Sequence, residues 1–228
     1  GNGGAADSKD GNEDCVGSRL CLLSLAENEQ LKDEPIIALA AHCFAKLHSL
    51  DLSGLHLLTD ASIGASVLAG VELRCVRLLG VCELSDGPVL ELAVRRGVQL
   101  CELSLNGCHK ITDEAIHALE ENCAAGLVRL DISWCRQVRD DALGRLADAC
   151  VESGHWGAER AGRRSDGPAG SLLPSLKLWG MTQLSAKFHQ GHSLAAGMLE
   201  GTPDCKQLQA GHARVGAWSV RTREPTCS

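Results

Sequence analysis

Twelve cysteines and nine histidines among 228 residues are the side chains with the most chemistry to offer, and their spacing argues against most of it. A zinc site is built from paired thiols and imidazoles a few residues apart. No Cys-x-x-Cys occurs, and the nearest approach to a ligand set is His189-x-x-His192 with Cys205 downstream, so no metal is expected. A nucleophile is suggested once, by Gly191-His192-Ser193-Leu194-Ala195, which approximates the Gly-x-Ser-x-Gly turn of serine hydrolases. That turn needs a buried strand before it and a helix after it, whereas Ala-Lys-Phe-His-Gln before it reads as the remnant of a helix. Gly1 and Gly3 lack the strand and third glycine of a dinucleotide-binding turn. No catalytic residue and no cofactor is expected, and the chain reads as a non-enzyme.

What the cysteines do follow is a repeat. In Leu100–Cys123, LCELSLNGCHKITDEAIHALEENC, the apolar residues change period, from the alternation of Leu103 and Leu105 to the helical spacing of Ile116 and Leu119. A strand hands over to a helix through a tight turn, with Thr112 and Asp113 placed to satisfy free amides at the helix start. The pattern Leu-x-x-Leu-x-Leu-x-x-(Asn/Cys)-x-x-(Leu/Ile)-x-Asp opens six times, at Leu20, Leu47, Leu73, Leu100, Leu127 and Leu173. The first four steps are 27, 26, 27 and 27 residues, a leucine-rich-repeat period. Asp33, Asp60, Asp86, Asp113 and Asp140 recur at the helix start, and the sixth copy has Ala186 there. Because each strand is followed by a returning helix, neighbouring strands must pair in parallel. The expected fold is therefore α/β: a right-handed leucine-rich-repeat solenoid of about six repeats, with strands on the concave face and helices on the convex face.

The string Cys-x-x-(Ile/Leu)-(Thr/Ser)-Asp-x-x-(Leu/Ile)-x-x-Leu-Ala, seen at Cys108 to Leu119 and Cys135 to Leu146, resembles the cysteine-containing subtype of leucine-rich repeat. That subtype is found in the substrate-recognising parts of F-box proteins of SCF ubiquitin ligases and in proteins of the Rad7 and Amn1 type. The resemblance implies a recognition scaffold in ubiquitin-dependent protein catabolism, reaching Skp1 and the cullin through an upstream F-box segment, of which residues 1–19 show no sign. It implies a cytoplasmic or nuclear protein. A general interaction module without ligase association is the alternative.

Residues 1–19, rich in glycine and acid, read as a disordered segment. Residues 20–195 form the repeat domain, and 196–228 an irregular tail or cap. The step from Leu127 to Leu173 is 46 residues, and removing residues 152–170 restores the period, so that stretch is an inserted surface loop. Cysteines within the repeats sit at turn positions (Cys108, Cys135) or helix ends (Cys43, Cys123, Cys150), as small buried hydrophobes in a reducing compartment. A net charge of -7 offers no general basic surface for nucleic acid, and no apolar run reaches membrane-spanning length.

Side chains alternating with the leucine ladder should line the concave face. At its centre are Asp51, Arg77, Asp131 and Lys177. Glu102 and Arg129 lie to one side, and Leu79, Asn106 and Trp179 to the other. This is a mixed-sign groove with apolar anchors and no converging base and nucleophile. With Trp134 added, these ten residues are the expected contacts for a protein ligand, the chain itself being a monomer. Trp134 has a structural alternative, in which it packs into its own turn.

Overall fold

A computed structural model describes residues 20–153, 175–181, 183–184 and 199–200. The acidic segment 1–19, the 152–170 insertion beyond Ser153, and His189, His192, Ser193 and Cys205 lie outside the described residues.

Among the described residues, seven strands and five α-helices alternate as far as α5. They are β1 (Leu22–Ser24), α1 (Asp33–Cys43), β2 (Ser49–Asp51), α2 (Asp60–Ala69), β3 (Cys75–Arg77), α3 (Asp86–Arg96), β4 (Glu102–Ser104), α4 (Asp113–Cys123), β5 (Arg129–Asp131), α5 (Asp140–Glu152), β6 (Ser175–Lys177) and β7 (Leu199–Glu200). The strands form one parallel sheet in chain order. Each helix packs against the next helix, and each strand against the next strand. This is a leucine-rich-repeat solenoid. β7 lies within 196–228, expected to be an irregular tail or a cap, and extends the sheet by one strand beyond the six repeats legible in the sequence.

The register follows the ladder. Leu23, Leu50, Val76, Leu103, Leu130 and Leu176 pair in succession across the sheet. From Leu50 onward all are buried, as are Leu52, Leu78, Leu105, Ile132 and Leu178. Leu23 and Leu25 are only partly buried. Among the described residues β1 is the first strand of the sheet and has β2 as its one neighbour.

Three devices join each repeat to the next. The residue three beyond each of β1 to β6 has a positive φ: Glu27, Gly54, Gly80, Gly107, Trp134 and Gly180. That left-handed turn aims its amide at the following repeat, as in Gly80 N to Asn106 O at 2.7 Å and Gly107 N to Ser133 O at 2.8 Å. Second, the aspartates that open α1 to α4 reach forward. Asp33 accepts from the amide and hydroxyl of Thr59, at 2.9 and 2.7 Å. Asp60 does the same with Ser85, and Asp86 with Thr112 at 2.8 and 2.6 Å. Thr59 and Thr112 in turn accept from the amides of Ala61 and Glu114, capping α2 and α4. The expectation that the Thr-Asp pair serves its own helix therefore holds for the threonine, while the aspartate serves the next repeat.

Third, the buried residue at the asparagine-or-cysteine position points back. The Cys108 thiol donates to Leu78 O at 3.2 Å and the Cys135 thiol to Leu105 O at 3.1 Å. Burial pushes the Cys108, Cys123 and Cys150 thiols up to about 12 and raises Cys135 as well. These groups are protonated at neutral pH and act as packing. Burial is less general than the repeat suggests. Cys43, Cys75 and Cys101 are half-buried and Cys21 is exposed; Cys21, Cys75 and Cys101 sit at or just before a strand and face away from the core, while Cys43 ends α1 of the first repeat and packs against the core only in part.

Arg96 was not foreseen. It is 7 % exposed at the end of α3, and its guanidinium donates to Val67 O and Val71 O, both at 2.7 Å. It thereby satisfies carbonyls at the end of α2 that have no helical partner. Burial and the adjacent Arg95 lower its basicity.

Candidate protein-binding face

The strands place the expected residues in two parallel columns. Asp51, Arg77, Ser104, Asp131 and Lys177 stand in register along one, and Ser49, Cys75, Glu102 and Arg129 along the other. Four of the charges neutralise one another. Arg77 Nε lies 2.7 Å from Glu102 Oε1, Arg77 reaches Asp51 at 3.9 Å, and Arg129 reaches the second Glu102 oxygen at 3.5 Å. Glu102 thus bridges both arginines, and its hydrogen bond raises the basicity of Arg77. Asp51 and Asp131 have a further task within their own turns, accepting from the amides of Ser53 and Ser133 at 3.0 and 3.1 Å. Such a side-chain turn fixes the backbone just past the strand.

That fixed backbone carries the third column. Leu79 and Trp179 are 37 % and 43 % exposed, and Asn106 is half-buried. Their carbonyls accept from Gly54, Trp134 and Gly80 of the preceding repeats, at 2.8, 2.7 and 2.7 Å. The Trp179 amide donates to the buried Ser133 hydroxyl at 3.0 Å. Two large apolar side chains therefore project from backbone pinned on the neighbouring repeat, a pre-organised form of the aromatic anchor that dominates protein interfaces.

Trp134 belongs to a different place. It occupies the left-handed position, φ 64°, where three preceding repeats have glycine, and for a residue with a Cβ that conformation costs about 1–2 kcal/mol. Its ring lies on Gly180 of the next repeat, where an added Cβ would meet the indole at 2.4 Å. The structural alternative therefore needs correcting: Trp134 packs across to the following repeat and not into its own turn. The guanidinium carbon of Arg136 is 5.5 Å from the centroid of the same ring. Aligning residue 134 under Gly54, Gly80 and Gly107 was the signal that could have revealed this. Among the described residues no group of three His, Cys, Asp or Glu side chains could hold a metal ion, and no helix is long and apolar enough to cross a membrane.

No family model and no curated relative matches the sequence. Solved structures do match. One is a chain of the yeast Rad7–Elc1 complex, at 17% identity and a TM-score of 0.52, covering 78% of this chain and 46% of that one. The likeness is one of fold. It agrees with the leucine-rich-repeat reading, and this chain spans less than half of that relative's length. The tropomodulin C-terminal domain of Caenorhabditis elegans matches at 15% identity and TM-score 0.47, covering 60% and 85% of the two chains. The actin-binding site 2 of leiomodin-1 matches at 13% identity and TM-score 0.47, covering 58% and 80%.

Proposed function

We propose that the chain is a non-enzymatic protein-recognition scaffold that grips its partner on the concave face. The observation that supports this reading is the pairing of exposed Trp179 and Leu79 on pinned backbone beside a strip of charges already matched to one another. Hot spots of protein interfaces are enriched in tryptophan and arginine framed by polar neighbours; Trp179, Arg77 and Arg129 meet that description, with Asn106 as a polar neighbour and Leu79 as an apolar contact beside them.

The finer reading is the substrate-binding part of an F-box-like adaptor for SCF-dependent ubiquitination, monomeric and acting in the cytoplasm or nucleus. Its support is the cysteine-containing repeat and the similarity of fold to a chain solved in complex with Elc1. Skp1 and cullin would be reached through a segment other than the repeats. The alternative is a module of the same build that binds without directing turnover.

The test is recovery of partners by the intact gene product, compared with the Trp179→Ala, Arg77→Ala double variant. A partner whose recovery falls at least tenfold in the variant supports the concave face; equal recovery moves binding elsewhere. Co-purification with Skp1, and a longer partner half-life when the protein is depleted, would favour the ligase reading. Binding with unchanged partner turnover would favour the general module.

A further inference from the structure

Leu79, Asn106 and Trp179 stand at one level of the array, two residues past the ends of β3, β4 and β6. Backbone hydrogen bonds tie that level from repeat to repeat: Gly54 N to Leu79 O, Gly80 N to Asn106 O, Gly107 N to Ser133 O and Trp134 N to Trp179 O. Neighbouring positions therefore keep the strand spacing, and Leu79 and Trp179, three strand intervals apart, are separated by about 14 Å. Between them lie the half-buried Asn106 and the buried Ser133, whose hydroxyl accepts from the Trp179 amide. Among the described residues the side-chain amide of Asn106 takes part in no hydrogen bond.

That spacing decides which partner backbone can reach both anchors. On an α-helix, residues nine apart are about 14 Å apart along the axis but about 180° apart around it, and residues eight or ten apart are still about 80° off. One face of a helix cannot meet both. In an extended chain, residues four apart span about 13 Å and point the same way. β3 to β6 are each paired on both sides, so an extended chain crossing them cannot join the sheet as a further strand. Its main chain must be met by side chains, and the amide of Asn106 offers both a donor and an acceptor. The six charges in the neighbouring columns, Asp51, Arg77, Glu102, Arg129, Asp131 and Lys177, sum to zero, so the strip calls for no net charge on the partner.

We propose that the concave face takes an extended peptide segment of no net charge that crosses the strands. Two of its apolar side chains, four residues apart, rest on Leu79 and Trp179, and its main chain between them is hydrogen-bonded to Asn106. The proposal rests on the reading of the chain as a concave-face scaffold and names the form its partner takes there.

The probe is a library of random dodecapeptides displayed on phage and selected on the immobilised whole chain. Enriched peptides should share two apolar residues four apart. Made with a fluorescein label and followed by anisotropy, they should lose at least tenfold in affinity for Trp179→Ala and at least fivefold for Leu79→Ala, but not for Val94→Ala on the exposed surface of α3. Sensitivity to both anchors excludes a helical peptide, in which residues four apart span only about 6 Å. Adding or removing one residue between the two apolar positions should cost at least tenfold; this series changes the ligand alone and stands even where a variant folds less well. N-methylation of one intervening amide should weaken binding at least fivefold on the wild type and make no difference on Asn106→Ala, whereas a merely structural Asn106 would leave the methyl effect intact. No enrichment, no fixed spacing, or peptides indifferent to Leu79 and Trp179 would overturn the proposal. Any of these, found together with loss of the cellular partner in the Trp179→Ala, Arg77→Ala variant, would mean that the face grips a folded surface, and the scaffold reading would stand.

Discussion

Asp33 shows what one side chain contributes here. Its partial burial alone would raise its pKa, but hydrogen bonds from Ser62 and Thr59 outweigh that and bring the net value below the ordinary carboxylate range. A folded-state pKa below the unfolded one means stabilisation that is complete above the unfolded value and lost as the pH falls through the folded one. Asparagine at this position keeps an acceptor for the Thr59 amide but loses the second oxygen that takes the hydroxyl. Asp33→Asn should therefore melt below the wild type at pH 7, with the gap closing as the pH drops below about 4. Thermal melts across that range check it, and a gap that stays constant would show that the carboxylate contributes nothing through its charge.

Among the elements, the tightest joint is not a leucine but a glycine. A Cβ at Gly126, in the turn between α4 and β5, would lie 1.9 Å from the carbonyl oxygen of Val98 in the preceding repeat. Backbone must move to admit it, so Gly126→Ala should destabilise by about 2–3 kcal/mol, in the upper part of what overpacking costs, measurable in urea. A change under about 0.5 kcal/mol, typical of neutral surface substitutions, would mean the turn is free to shift. Nothing in a single copy of the repeat announces Gly126. The ladder of Leu50, Val76, Leu103 and Leu130 is legible because apolar alternation and a near-constant step report directly on strand and register. The forward reach of Asp86 to Thr112, the cap that Arg96 provides on α2 and the seat of Trp134 on Gly180 are contacts between repeats, which no spacing within one repeat encodes. The concave columns were predicted in the right register for the same reason the ladder was. Their internal ion pairing was not, since side-chain reach across strands depends on twist and rotamer.

For the molecule as a whole, the contacts run along one axis. Each repeat touches the repeats beside it, and stability in such an array is close to a sum of repeat and interface terms. A perturbation at one rung is felt mainly by its neighbours.

The forward-reaching aspartates give this array a mechanical grain. Along the middle of the stack, a pull between the ends loads a strand pairing, a left-handed amide and a carboxylate side by side at every junction. Failure of one junction releases one rung and leaves the next intact. Stretched in an optical trap, the molecule should give way in a staircase, each step freeing roughly 27 residues, or about 90 Å of extended chain. A single rip spanning the whole sheet would show instead that the rungs fail as one block.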